Sequence, residues 1–315
     1  MTLVLSASAT ANDYDTLLRS KKFAEAEQAA SAKLARDAGN AEALIAKSEA
    51  ILGQGSEERI DEAVKLSEQC VAASPGNASC HVALGTARGA KAMNGGMLAA
   101  ASLAGKIRDG FKKAVELDPR NVDARYSLMQ FYLMAPGFMG GGADKAEALV
   151  AQTMAVTPEA GKLMTASLDL RAGRVPKAEA AVLAMRPGAD PDLKKLHEAA
   201  LISIGSKHMS EKRYADAERL FREAQKQYPE TTSGAYFVAR NYQEQGKHRE
   251  AVTMFEELVA AYPRPQLHYR LAKSQQALGD KARAVAAFEK ALAYKSGLVK
   301  QFRTDSETQL KALKG

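Results

Sequence analysis

No run of about 18 apolar residues occurs in the chain, so no segment is expected to span a membrane. No segment alternates strictly between apolar and polar residues in the manner of a half-buried strand. Catalytic constellations are scarce too. The five histidines, His81, His197, His208, His248 and His268, are scattered; no two lie three or four apart, and HExxH is absent. Gly140-Gly141-Gly142 ahead of Lys145 lacks the GxxxxGK[ST] spacing of a phosphate loop, and nothing strand-like precedes it. Carboxylates are plentiful but fall on regular helix faces. An enzyme is therefore the class least expected, with no cofactor and no metal site.

Cysteine is nearly absent. Cys70 and Cys80 lie five residues before and five after Pro75. Two antiparallel helices joined at that proline bring symmetric positions together, within disulfide reach if the Cα atoms approach to about 7 Å. Two readings follow: a bond that persists in an exported protein, or two buried thiols acting as small apolar residues. The first eleven residues, MTLVLSASATA, bear on that choice. Ala7-Ser8-Ala9 and Ala9-Thr10-Ala11 fit small-x-small cleavage sites, but the basic start of a signal is missing. Residues 1–11 are read as a possible remnant of a signal peptide, which predicts a periplasmic or otherwise extracytoplasmic location, with cytoplasm as the alternative.

What is present is helix. The chain has 315 residues, 46% hydrophobic and 26% charged, enough for a substantial core or for two domains. Alanine-rich runs and long apolar periodicity point to helix throughout. The formal net charge is +7, but the basic residues sit in pairs such as Lys21-Lys22, Lys112-Lys113 and Lys194-Lys195 beside acidic neighbours. That reads as solvated helix faces rather than a basic groove, and no nucleic-acid partner is expected.

A period governs the last third. Ala217, Phe221 and Pro229 recur as Ala251, Phe255 and Pro263, and again as Ala284 and Phe288, at steps of 34 and 33 residues. A fixed period in this range marks a solenoid. Upstream of each lies a second pattern: Leu201, Ile204, Gly205, His208; then Ala235, Val238, Ala239, Tyr242; then His268, Leu271, Ala272, Gln275. Small residues let two helices approach, and an aromatic one turn on fills the gap. Earlier in the chain, Ala26, Ala63, Phe111 with Ala114, Ala146 and Ala178 continue the series, giving eight second helices.

These motifs resemble the tetratricopeptide repeat family, closely in the second helix of each unit and loosely in the first. The resemblance implies an all-α, right-handed solenoid of about eight helix-turn-helix repeats. A polar capping helix is expected near Ser296 to Leu313. It also implies that first helices line a concave face, which would offer Tyr236, Asn241, Tyr242 and Tyr269 to a partner.

The period breaks in the middle. Pro75 to Pro119 spans 44 residues and Pro119 to Pro158 spans 39, with the excess inside each unit. The first excess centres on Gly95-Gly96 and predicts two helices each about five residues longer, or about 7.5 Å. The second, Pro136 to Gly142, predicts a loop on the same edge. Seven of the eleven methionines fall between Met93 and Met164. Methionine suits a surface that repacks around an apolar guest, or fills gaps where repeats lose regularity. Gly85, Gly89 and Gly105 are expected to leave room. Four segments follow: 1–11; N-terminal repeats 12–77; irregular repeats 78–195; regular repeats and cap 196–315.

Two functions fit. One is a protein-interaction module offering a groove to a partner protein or peptide. The other is a carrier of a large apolar ligand, a lipid or sterol, moved between membranes. For the carrier, Met93, Met97, Leu98, Leu133, Met134, Phe138 and Met139 would wall an apolar pocket or groove, with Arg88, Lys91 or Asn94 at its rim. An RNA-binding repeat is prompted only by the positive charge.

Overall fold

The computed structural model describes residues 11–294 and 296–315. The expected signal remnant lies outside them, save Ala11, which opens the first helix. The chain divides into two compact units, residues 1–161 and 162–315. The first holds α1 (Ala11–Arg19), α2 (Phe23–Leu34), α3 (Ala41–Gly53), α4 (Ile60–Ala73), α5 (Ala78–Asn94), α6 (Gly96–Leu117), α7 (Val122–Met134), α8 (Ala143–Val156) and the opening turn of α9 (Pro158–Arg171). The second holds the rest of α9, then α10 (Val175–Leu183), α11 (Pro191–Ser210), α12 (Tyr214–Gln227), α13 (Ser233–Glu244), α14 (His248–Ala261), α15 (Pro265–Ala277), α16 (Lys281–Ala293) and α17 (Lys300–Lys314). Among the described residues there is no strand. The fold is an all-α helical-repeat solenoid, with the even-numbered helices α2 to α16 carrying the alanines that set the period.

One contact recurs. A side-chain carbon added to Gly205 of α11 would lie 2.5 Å from the Phe221 ring of α12, and one added to Gly85 of α5 would lie 2.5 Å from the Phe111 ring of α6. Ala239 and Ala272 hold the corresponding slots near Phe255 and Phe288, and all four are fully buried in one cluster. A ring on the second helix thus needs a small residue on the first. Gly85 was expected from sequence to leave room, but the Phe111 ring occupies that space. Gly89 and Gly105 do face open space.

Local signals set the ends. Asn40 and Asn121 accept hydrogen bonds from the backbone of Ala43 and Ala124, at 3.0 and 2.8 Å, and start α3 and α7. Gly246 and Gly279 adopt φ of 76° and 78°, in the left-handed region that closes α13 and α15 and turns the chain into α14 and α16. The capping helix begins at Lys300, later than the expected Ser296, because Gly297 at φ 84° turns the chain there. Phe302, Leu310 and Leu313 of α17 pack on the apolar cluster, and its other side is polar.

Two buried groups of the core are held by specific partners. His197 sits between the Tyr228 hydroxyl at 2.7 Å and the Val182 carbonyl at 2.9 Å. The carbonyl can only accept, so Nε2 donates to it and Nδ1 receives the tyrosine proton. That ring is neutral, and burial holds its pKa below the usual value. Cys70 at the end of α4 and Cys80 at the start of α5 form a disulfide with Cα atoms 5.4 Å apart, packed with Leu44. Of the two readings, the structure takes the bonded one.

Three measurements check this core. Phe255→Ala is expected to cost about 3–5 kcal/mol in urea unfolding, as buried aromatics do; a loss under about 1 kcal/mol would contradict the ring-and-slot packing. Cys70→Ser with Cys80→Ser should lower stability by about 2–3 kcal/mol, the value for so short a loop. Native protein prepared without reductant should titrate no free thiol.

Candidate functional site

The second unit concentrates cations and rings on α13 and α15. Tyr236 and Arg240 lie one turn apart on α13, with Gln243 and Glu244 a turn further. Arg270 and Lys273 lie one turn apart on α15, and Arg264 precedes that helix. Val238 and Ala239 of α13 and Leu267 and Leu271 of α15 are buried in the core, and Tyr236 packs beside them, while Arg240 and Arg270 keep part of their side chains exposed.

Their electrostatics are unbalanced. Arg240 and Arg270 share the carboxylate of Glu244, at 3.8 and 4.0 Å, distances too long for firm pairing. Arg240 stacks against Phe237, and Arg270 against Tyr269 and Phe302. The Nε atoms of Arg240, Arg264 and Arg270 are all buried and have no acceptor. Burial, and then the neighbouring Arg270 cation, push the Arg240 guanidinium below its ordinary pKa. Burial does the same to Arg264. These cations have lost water without gaining an equal set of anions. What would satisfy them is carboxylate or another oxyanion.

The four groove residues read from sequence are split. Tyr236 is half-buried and lies close enough to Arg240 and Arg264 to interact electrostatically with both. Tyr242 faces α12 instead, where its hydroxyl donates to Glu218 at 2.8 Å and accepts from Arg222 at 2.9 Å. Asn241 is fully buried, with its amide donating to the Tyr214 carbonyl at 2.9 Å. Tyr269 is buried under α17, stacked on Phe302 at 4.3 Å and donating to Asp305 at 2.8 Å. The three arginines were missed because they follow no repeat spacing: Arg240 falls one residue after its unit's small slot, Arg270 two before.

The irregular edge of the first unit is built as expected, from a long helical hairpin and a loop. α5 and α6 run 17 and 22 residues and meet at Gly95-Gly96, where Gly96 takes φ 72°. Pro136 to Gly142 forms the loop, with a single 3-10 turn at Gly137–Met139. Gly140 lies against Arg108 of α6, and Lys145 holds the carbonyls of Gly140 and Gly141 at 3.1 and 3.2 Å. Met93, Met97, Leu98, Met134 and Phe138 are exposed to 76%, 74%, 87%, 67% and 83%. Leu133 and Met139 are half-buried. Arg108 is ten residues along α6 from Leu98, about 15 Å, so the loop meets the hairpin well below its apex. The seven residues thus share an edge but stand mostly as protruding surface. Arg88 and Lys91 are paired with Glu68 and Asp61 of α4, at 3.1 and 2.7 Å. Met129 and Met164 are fully buried and fill gaps in the core, whereas Met93, Met97 and Met134 stand exposed.

Comparison with known proteins follows from this geometry. Residues 238–297 match the family described as tetratricopeptide repeat. No curated protein matches the chain by sequence. Yeast Tom70 aligns over 100% of this chain and 66% of its own, at 13% identity and a TM-score of 0.63. Human IFIT1, in a structure of its dimer with m7Gppp-AAAA, aligns over 87% of this chain and 62% of its own, at 18% identity and a TM-score of 0.54. The chain spans less than two thirds of either protein, and at such identities the likeness shows the fold alone.

The Tyr269 contact gives a pH prediction. Burial, then the Asp305 carboxylate, push this phenol up to about 12. The unfolded phenol ionises near 10, so between these values the unfolded state has lost a proton that the folded state keeps. Stability should be full below about pH 10 and fall as pH rises toward about 12. Urea unfolding at about pH 9 and about pH 11.5 should show the loss, and Tyr269→Phe should flatten it.

Proposed function

We propose, for a chain that belongs to the tetratricopeptide-repeat family, a function without catalysis: a scaffold whose second unit takes an acidic segment of a partner protein across α13 and α15. The observation that supports this is the trio Arg240, Arg264 and Arg270, each with a buried Nε that lacks an acceptor. A partner's Asp and Glu side chains would make charge-assisted hydrogen bonds to the part-exposed guanidinium ends of Arg240 and Arg270, which Glu244 meets only at 3.8 and 4.0 Å. Tyr236 and Phe237 add flat, rigid contact area beside them. The fold itself favours a protein partner, since helical repeats present extended surfaces rather than closed sites.

The bond between Cys70 and Cys80 supports a further assignment, to an oxidising compartment outside the cytoplasm. Carriage of an apolar ligand draws no comparable support, because five of the seven residues expected to enclose one are exposed.

The test separates binding from stability. Arg240→Met with Arg270→Met removes two repelling, poorly paired cations, so melting temperature should hold or rise. Fluorescence anisotropy with labelled Asp- and Glu-rich peptides should show the same variant binding about 10- to 100-fold more weakly, as loss of one or two charged hydrogen bonds implies. Equal binding by variant and wild type, or no preference for acidic over neutral peptides, would refute the proposal.

A further inference from the structure

The α5–α6 hairpin ends in a stretch, Ala92 to Gly105, that holds no ionisable side chain. At its apex Met93, Met97 and Leu98 are exposed to about three quarters or more of their surface. They are not needed to hold the hairpin together. Ala92 and Ala104 are buried, and alanine lets the two helices approach closely. Directly behind the uncharged end come Arg88 and Lys91 on α5, and Lys106, Arg108, Lys112 and Lys113 on α6. Only Asp109 and Glu116 oppose them on α6. Glu68 and Asp61 of α4 neutralise Arg88 and Lys91, so the surplus positive charge of this collar lies on α6. From Lys106 to Gly96 the helix climbs about 15 Å.

We propose that this apex docks on an anionic lipid surface, with Met93, Met97 and Leu98 entering the boundary between headgroups and acyl chains and the α6 cations meeting lipid phosphates. The order along the hairpin, apolar end and then basic collar, matches the order of layers met on approach from beneath the headgroups outward. A protein partner fits less well. Three side chains on a convex tip fall short of the roughly 800 Å² per partner that a stable protein interface buries. The net charge of +7 adds attraction to an anionic surface at longer range. Insertion is shallow, about 5–10 Å, as for other interfacial helices. Deeper entry would strand the open backbone groups of the Gly95-Gly96 turn and the Asn94 amide away from water. Methionine suits such a site because its flexible thioether chain adapts to irregular lipid packing.

The protein lacks tryptophan, so Leu98→Trp places a single reporter at the apex. Vesicles of phosphatidylcholine with about 30% phosphatidylglycerol are compared with phosphatidylcholine alone, the anionic lipid providing the surface potential. The reporter's emission should shift to the blue with anionic vesicles, and wild-type protein should float with them. Met97→Asp with Leu98→Asp should cut the floated fraction about tenfold or more while circular dichroism and melting temperature stay unchanged, since both side chains are exposed. Lys106→Glu with Lys112→Glu should weaken flotation, and salt should weaken it in wild type. An unshifted reporter, or equal flotation of wild type and the Asp variant, would overturn the proposal. So would an Asp variant that breaks up an oligomer in gel filtration while no vesicle is bound, which would assign the apex to a second copy of the chain.

Discussion

A phenyl ring pressed into the place of a missing side chain is the constraint on which the regular part of this fold rests. Phe221 needs Gly205 to be bare, and Phe111 needs Gly85 to be bare. Alanine suffices in the slots near Phe255 and Phe288. The contact fixes the depth at which two helices of a pair meet, and hence the face each has left for its neighbours. It also explains how the third pair tolerates extra length. Glycine and ring are sixteen residues apart at Gly205 and Phe221 and twenty-six at Gly85 and Phe111, yet the contact is the same. The ten extra residues were added beyond it, where nothing has to fit.

That same contact is why so much of the architecture was legible in sequence. Alanine and phenylalanine at fixed spacing mark the second helices, and all eight predicted from the alanines are found as α2 through α16 in even steps. The Gly-Gly hairpin and the Pro-Gly loop were legible for a related reason, because glycine and proline leave few alternatives to a turn. The start of the capping helix was set less closely: Gly297 turns the chain beside Ser296, and the helix opens three residues later at Lys300.

The site was less legible because sites need not obey the repeat. Asn241 and Tyr269 occupy first-helix positions, and both are consumed by packing, one against the Tyr214 backbone and the other under α17. The arginines near them stand out only when burial and partners are known. A surface arginine is ordinary; three with a buried, unanswered Nε are not. Methionine gave a mixed signal for the same reason, since Met129 and Met97 differ in burial and not in hydropathy.

The disulfide ties the last turn of α4 to the first turn of α5, and the hairpin apex stands at the other end of α5, fourteen residues from Cys80 to Asn94. A helix of that span is about 21 Å long. α5 is therefore a cantilever clamped at its root by a covalent bond. A sideways pull on the apex cannot peel the third helix pair from the second at that root without breaking sulfur from sulfur. The torque passes instead into α3 and α4, and the pairs on either side of the bond answer mechanical force as one body.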